Sequence, residues 1–241
     1  MADLRQWLAD VAEMGELKKV DGADWDQEIG AITMLSWTKP DRPALLFDRI
    51  KGYPEGHRVL TGSTSTPNRV ALTFNLPRVS STRELVNLFR QRLDGWLSTY
   101  QDFSPRIVKK GPVLENVQAG DKVDLLQFPV PKFHEEDGGR YIGTGDAVIT
   151  RDPDTGEINM GTYRMQLFDK RSAGLFIVPG HHGRVHMEKY FARNQPCPVV
   201  VSIGHHPLIF RVACIEVPQG VEMGMVGAIQ GKPLEVIVDE V

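Results

Sequence analysis

Thr150-Arg-Asp-Pro-Asp-Thr-Gly-Glu-Ile-Asn-Met-Gly-Thr-Tyr-Arg-Met-Gln166 decides how this chain is read. Within it, Arg151-Asp-Pro-Asp-Thr-Gly156 has the Pro and Gly chemistry of a hairpin loop, and the apolar runs Ala147–Thr150 and Met160–Phe168 flank it as strands. Asn159 and Arg164 sit in the second arm, and His181-His182 and Glu222 follow downstream. An amide oxygen, an imidazole and a carboxylate suit a hard divalent cation, and an Arg beside them can hold an anionic substrate.

Outward from the hairpin, the sequence predicts strands at Gly174–Val178, Pro198–Ile203, Leu208–Ile215 and Leu234–Val238, with a short helix over His186–Arg193. Many strands at short spacing leave costly edges unless the sheet curls into a barrel. Upstream the pattern changes. Asp3 is placed to cap a helix with Leu4, Trp7, Leu8 and Val11 on one face and Gly15 at its end. A second helix is expected from Trp25 through Ile29, Ile32 and Leu35 to the Lys39-Pro40 break, and a third from the Ser81/Glu84 capping box through Leu85, Leu88, Phe89 and Leu93. Strand-like runs at Ala44–Phe47 and Val59–Leu60 lie between them, and Pro105–Pro112 reads as a linker. The expected fold class is α+β, with an N-terminal α/β domain over residues 1–110 and a β-barrel domain over residues 111–241.

The 241 residues, 41% hydrophobic and 24% charged, have the make-up of a globular protein with a sizeable core. A balance of 28 basic against 31 acidic residues gives no global electrostatic case for nucleic acid or an anionic membrane. No apolar run approaches bilayer-spanning length, and the start Met1-Ala-Asp-Leu-Arg-Gln-Trp-Leu lacks the apolar core of a signal peptide. Cys197 and Cys214 lie in apolar runs and are expected as reduced, buried thiols, so the expected compartment is the cytoplasm.

Each candidate residue also has a plainer reading. The Gly-rich Asp137–Gly145 matches neither a Walker loop nor a dinucleotide fingerprint and reads as a surface loop. His181, His182 and His186 lack the His-Glu-x-x-His order of a zinc protease, and His205-His206 read as solvated loop residues. An ion pair with Asp or Glu would serve Arg164 as well as a substrate would, and Glu222 alone would be a surface carboxylate. The small-residue segment Pro218–Ala228 suits close backbone approach to a ligand, and Tyr163, Phe176, Met223 and Met225 are candidates for lining an apolar pocket.

Asp137-Gly-Gly-Arg-Tyr141, the Thr150–Gln166 stretch, Val201-Ser-Ile-Gly-His-His-Pro207, and Glu222 ahead of Val226-Gly-Ala-Ile-Gln-Gly-Lys-Pro233 resemble the UbiD-like family of prenylated-FMN-dependent (de)carboxylases. Leu4-Arg-Gln-Trp-Leu8 and Gly15-Glu-Leu17 resemble that family's opening, so the likeness runs along the whole chain. The resemblance implies a split β-barrel of flavin-reductase type holding prenylated FMN. It implies Asn159, His182 and Glu222 as ligands of a manganese-type cation that bridges to the flavin phosphate, with a potassium site nearby. His182 is preferred to His181 as the ligand by spacing. Thr144, Thr162, Tyr163, Arg164, His181, His182 and Gly183 match positions lining the flavin, and Arg164 would hold the substrate carboxylate.

The implied reaction is non-oxidative decarboxylation, open to reversal, of an aromatic or α,β-unsaturated carboxylic acid, with a flavin prenyltransferase supplying the cofactor. One departure stands out: the family's Glu-Ile-Val-x-Glu-Gly motif is absent, and Glu235 and Glu240 lack its context. The family's C-terminal domain, which usually mediates dimer formation, is also expected to be missing, leaving either a homo-oligomer of a longer form or a partner subunit to complete the enzyme. The alternative is a non-catalytic flavin-binding subunit that relies on a partner chain for the acid. A metal-dependent hydrolase built on the His cluster and a plain flavin reductase are more distant rivals.

Overall fold

The computed structural model describes residues 3–238. Asp3 caps α1 (Leu4–Glu13), its carboxylate accepting from the Gln6 amide at 3.0 Å, and Trp7, Leu8 and Val11 form the buried stripe. After β1 (Leu17–Asp21), α2 (Glu28–Trp37) begins later than the expected Trp25. The delay has a local cause: Gln27 is left-handed at φ 67°, and its amide donates to the Lys132 carbonyl at 2.8 Å. The inner face of α2 is Ile29, Gly30, Thr33 and Ser36, so Leu35, expected inside, is 65% exposed.

β2 (Ala44–Asp48) lies between β1, to which it is parallel, and β3 (Val59–Thr61), to which it is antiparallel. Ala44 and Leu46 pack on Trp7, Leu8 and Val11, while Leu45 and Phe47 pack on Ile29, the period-two division of a strand buried on both faces. The sequence pattern did not reveal α3 (Pro67–Thr73), which Thr66 caps. Within α3 the fully buried Arg69 guanidinium pairs with Glu16 at 2.7 Å and donates to the carbonyls of Arg42, Gly62 and Ser63. α4 (Thr82–Thr99) starts at Ser81 as expected, but the Glu84 carboxylate reaches back to the amide of Ser80.

Where a linker was expected, β4 (Arg106–Ile107) runs parallel to Glu235–Val236. Part of the Gly-rich segment read as a loop is β5 (Arg140–Gly143), and β6 (Ala147–Arg151) follows. The run expected as one strand is split into β7 (Ile158–Gly161) and β8 (Arg164–Leu167), which belong to different sheets. β9 (Ala173–Phe176), α5 (His182–Ala192) and β10 (Val199–Ser202) follow.

The Leu208–Ile215 run, expected as a strand, is α6 (Pro207–Ala213). Pro207 at its first turn and burial of Leu208, Ile209 and Val212 explain the misreading: a short apolar run carries no period that separates a strand from a buried helix. The small-residue segment is α7 (Glu222–Gln230), and its glycines serve the chain itself. A Cβ at Gly224 would lie 2.7 Å from the Tyr100 carbonyl oxygen, and one at Gly227 would lie 2.6 Å from the Phe103 Cβ. β11 (Glu235–Val236) completes the pairing with β4.

The antiparallel strands form two three-stranded sheets, ordered β10-β6-β7 and β5-β8-β9. Among the described residues no pairing joins them into a closed barrel, so the fold is a mixed helix and sheet structure. The largest core cluster unites Phe74 and Trp96 with Leu208, Val212, Met225, Val226 and Ile229, so the core continues across residue 110. Met225, a pocket-lining candidate, is buried in that core, and the half-buried Met223 packs against it. Cys197 and Cys214 are free, but Cys214, at the end of α6, is exposed where a buried thiol was expected. Among the described residues no helix is long and apolar enough to cross a membrane. Glu240 lies outside the described residues.

His205 and His206, expected in solvent, are drawn inside. His206 is 4% exposed, and its Nδ1 accepts from the Leu208 amide at 3.1 Å, capping α6. Burial pushes the pKa of each imidazole down to about 4. A histidine with a depressed folded pKa contributes stability above its unfolded value and loses it as pH falls toward the folded one. For His206 the window runs from 6.5 down to about 4 and is worth at most about 3 kcal/mol. His206→Asn keeps an acceptor at the cap and removes the titration, so its melting temperature should fall less steeply than wild type across that window. Parallel melting curves would show that His206 does not carry the acid sensitivity.

Candidate active site

The β6–β7 hairpin is held at its turn by Asp152. Its Oδ1 accepts from the Asp154 amide at 2.8 Å, and its Oδ2 accepts from Lys189 Nζ of α5 at 2.6 Å. Lys189 and the Asp154 amide together lower the Asp152 pKa to about 2. Along the hairpin Asn159 is the direct partner of Thr150, so the two side chains share one face, and both are buried.

The chain leaves this sheet through Thr162 and Tyr163. The Tyr163 phenol oxygen accepts from Asn159 Nδ2 at 3.4 Å, and its ring meets His181 edge-on at 5.9 Å between centroids. Glycine is required at 161 on the opposing wall, since a Cβ there would lie 2.6 Å from the Tyr163 hydroxyl. Gly183 faces the same ring, with 3.1 Å from a Cβ to its nearest atoms. Tyr163 thereby joins β7 to the start of α5.

Glu222 is the first residue of α7 and is 6% exposed. Burial raises its carboxyl pKa; the amides of Glu222 and Met160, the imidazole of His182 and the Gly220 amide act in the opposite direction. α5, which His182 opens, and α7, which Glu222 opens, both pack against β7, the strand that carries Asn159. His182 opens α5 and, like His181 at the cap, is exposed. The donor set of one amide oxygen, one imidazole and one buried carboxylate fits a hard divalent cation. Among the described residues no group of three or more His, Cys, Asp and Glu is placed to hold a metal.

Arg164 opens β8 on the surface, opposite the exposed Phe176, with its guanidinium carbon 6.0 Å from the Tyr141 ring centroid. Among the described residues it makes no ion pair, so the salt-bridge reading is not what the structure shows. Thr144 is exposed between β5 and β6. Glu235 is taken up by an ion pair with Arg106 on the neighbouring strand.

Asp146 was missed. It is fully buried, with Oδ1 accepting from Thr162 Oγ1 at 2.9 Å and Oδ2 without a hydrogen-bond partner, and burial raises its pKa. An acidic residue heading the apolar run Ala147–Thr150 was the available signal. His186 was noted only as part of a histidine cluster; it is fully buried on the His182 side of α5.

With this geometry in place, the comparisons with known proteins are direct. The model of the 3-octaprenyl-4-hydroxybenzoate carboxy-lyase Rift-related domain matches residues 106–241, and that of the N-terminal domain of the same carboxy-lyase matches residues 8–89. The chain belongs to the UbiD family. It is 33% identical to a pyrrole-2-carboxylic acid decarboxylase of Pseudomonas aeruginosa, over 98% of this chain and 48% of that protein. The closed form of the vanillic acid decarboxylase of Sedimentibacter hydroxybenzoicus superposes with a TM-score of 0.89 at 30% identity, over 100% of this chain and 51% of that one. An evolved dimeric form of the UbiD-class enzyme HmfF from Pelotomaculum thermopropionicum, solved in complex with prFMN, gives a TM-score of 0.84 at 28% identity, over 100% of this chain and 53% of that one. This UbiD-family chain thus spans about half the length of the curated relatives it matches.

In this UbiD-family chain, Asp146 supplies a test of the buried polar layer beneath Thr162. Because its folded pKa is raised, its stabilising contribution is present below the unfolded value and lost as pH rises through the folded one. Asp146→Asn keeps an acceptor for Thr162, so its melting temperature relative to wild type should rise as pH climbs above the unfolded carboxyl value, until Asp146 ionises in the fold. A difference that does not change with pH would mean that burial leaves the Asp146 pKa where it is in the unfolded chain.

Proposed function

We propose that this chain forms the flavin-binding part of a decarboxylase that acts non-oxidatively, and reversibly, on an aromatic or α,β-unsaturated carboxylic acid. The observation that supports this reading is the buried Glu222 carboxylate at the head of α7, a helix that packs against the strand of the buried Asn159 as does the helix opened by His182, together with an Arg164 that makes no ion pair among the described residues. In this reading those three residues would hold a manganese ion that helps to retain prenylated FMN. Thr144, Thr162, Tyr163, Arg164, His181, His182 and Gly183 line the flavin. The family's potassium ion belongs to the same proposal, with no residue of this chain assigned to it. The two antiparallel sheets are read as parts of a flavin-reductase-type split barrel, with the domain division at residue 110, in a cytoplasmic enzyme served by a flavin prenyltransferase.

When bound, prenylated FMN supplies the electron sink for the charge left as carbon dioxide departs. The residues of the chain orient and neutralise. Arg164, planar and always charged, pairs with the substrate carboxylate through parallel N–H donors. Tyr163 sets the edge of the site through its contacts with Asn159 and His181. Glu222, costly to bury as an anion, is stabilised once a cation sits beside it. Glu235 is committed to Arg106, so protonation of the product falls to an acid contributed from beyond this set of residues.

The hydrolase reading is disfavoured, because His186 is engaged by Thr150 and Gln219 instead of converging with His181 and His182.

The test is coexpression with a flavin prenyltransferase, identification of the copurifying small molecule and metal, and assay of carbon dioxide release from a panel of aromatic acids. Wild type should retain prenylated FMN and manganese. Arg164→Ala should retain both while losing about 10²-fold or more in turnover of any competent assembly, the scale of removing one preorganised charge contact. Asn159→Ala and Glu222→Ala should instead lose flavin. Equal flavin loss in all three variants would undo this division of roles.

A further inference from the structure

His186 has no part in the reading above, yet it lies on the helix of His182 and reaches the strand paired with that of Asn159 and the loop that leads to Glu222. Its ring is fully buried on α5, one helical turn beyond His182 and on the same face. Nδ1 lies 3.0 Å from Thr150 Oγ1, and Thr150 is the direct cross-strand partner of Asn159. Nε2 lies 3.2 Å from Gln219 Nε2, in the segment that leads within three residues to Glu222. We propose that His186 is a positioning residue whose two ring nitrogens fix the β6–β7 hairpin, α5 and the entry to α7 relative to one another, so that Asn159, His182 and Glu222 form one cation site.

The chemistry suits a neutral imidazole. With the Gln219 amide donating, Nε2 is the acceptor and Nδ1 carries the proton toward the Thr150 hydroxyl. A neutral ring therefore offers one donor and one acceptor on opposite sides of a rigid plane, and burial favours that neutral form. Asp152 Oδ2, 3.8 Å from Nε2, is held instead by Lys189 at 2.6 Å, and this ion pair clamps the same helix to the same hairpin one turn further on. Flexible side chains would lose more freedom in making the same ties, whereas an imidazole spans both with a rigid ring. Cation sites are sensitive to such supports, because small errors in ligand placement weaken coordination.

The inference rests on the cation reading proposed above, and the test separates the two. Mn2+ alone is titrated into the full chain and followed by electron paramagnetic resonance, with melting temperatures recorded in parallel. The variants are His186→Asn, which keeps an amide atom near the Nδ1 position and loses the reach to Gln219, Gln219→Ala, the double variant, and Glu222→Ala as the ligand control. Gln219 lies in a loop at partial exposure, so its removal leaves the fold intact even if His186→Asn does not.

The expected result is about a 10-fold loss of Mn2+ affinity in Gln219→Ala at an unchanged melting temperature. His186→Asn should lose a similar factor, and the double variant no more than the larger single loss, since both remove one interaction. Wild-type affinity in Gln219→Ala and His186→Asn, with binding abolished in Glu222→Ala, would overturn the positioning role alone. Additive losses would overturn it too. Absence of Mn2+ binding by wild type would overturn the cation reading and this inference together.

Discussion

Tyr163 stands where the chain leaves one antiparallel sheet and enters another, and its ring occupies the space left by glycines at 161 and 183. A continuous strand would alternate side chains regularly through residue 168, setting Asn159 and Arg164 on opposite faces of a single sheet. The break lets Asn159 stay paired with Thr150 in the buried layer while Arg164 emerges at the head of a different sheet. A buried amide that can meet a cation and an exposed guanidinium that can meet an anion are thus five residues apart in sequence and in distinct environments. The remaining parts of the site are arranged around that corner.

Burial of polar groups is the second theme. Asp146, Asn159, His186 and Glu222 all lie inside the second half, and each would be unfavourable without a partner. His186 has both nitrogens engaged, Asn159 meets Tyr163, and Asp146 has one oxygen satisfied by Thr162 and one without a partner. Glu222 combines burial with backbone donors and a neighbouring imidazole that favour its anion. The N-terminal unit spends its buried charge differently. Arg69 is enclosed by Glu16 and three backbone carbonyls, a set that organises the turn between β3 and α3 and has no bearing on the site.

Much of the local structure was legible because the signals are short-range. Asp3 and Ser81 announce helices through cap chemistry that needs no tertiary partner, and the hairpin from Ala147 to Gly161 follows from turn residues between alternating runs. What failed was every inference that depended on which neighbour a segment would meet. Leu208–Val212 is apolar enough for a strand, and only the cap from His206 and burial against α7 and the aromatic residues near Phe74 make it a helix. The glycines at 224 and 227 looked like room for a ligand, but they are room for the chain at Tyr100 and Phe103.

The sequence by itself determined the family, the capped starts of α1 and α4 and the identity of the polar residues, because these depend on residue type and spacing alone. Tertiary structure decided their state: that His206 is buried and His205 half-buried, that Arg164 is exposed, that Asp146 has an unpartnered oxygen, and that His186 lies between Thr150 and Gln219. Whether a titratable side chain is solvated or desolvated, paired or alone, depends on segments brought together from distant parts of the chain. Those contacts are set by the joint packing of several elements, which no local pattern encodes.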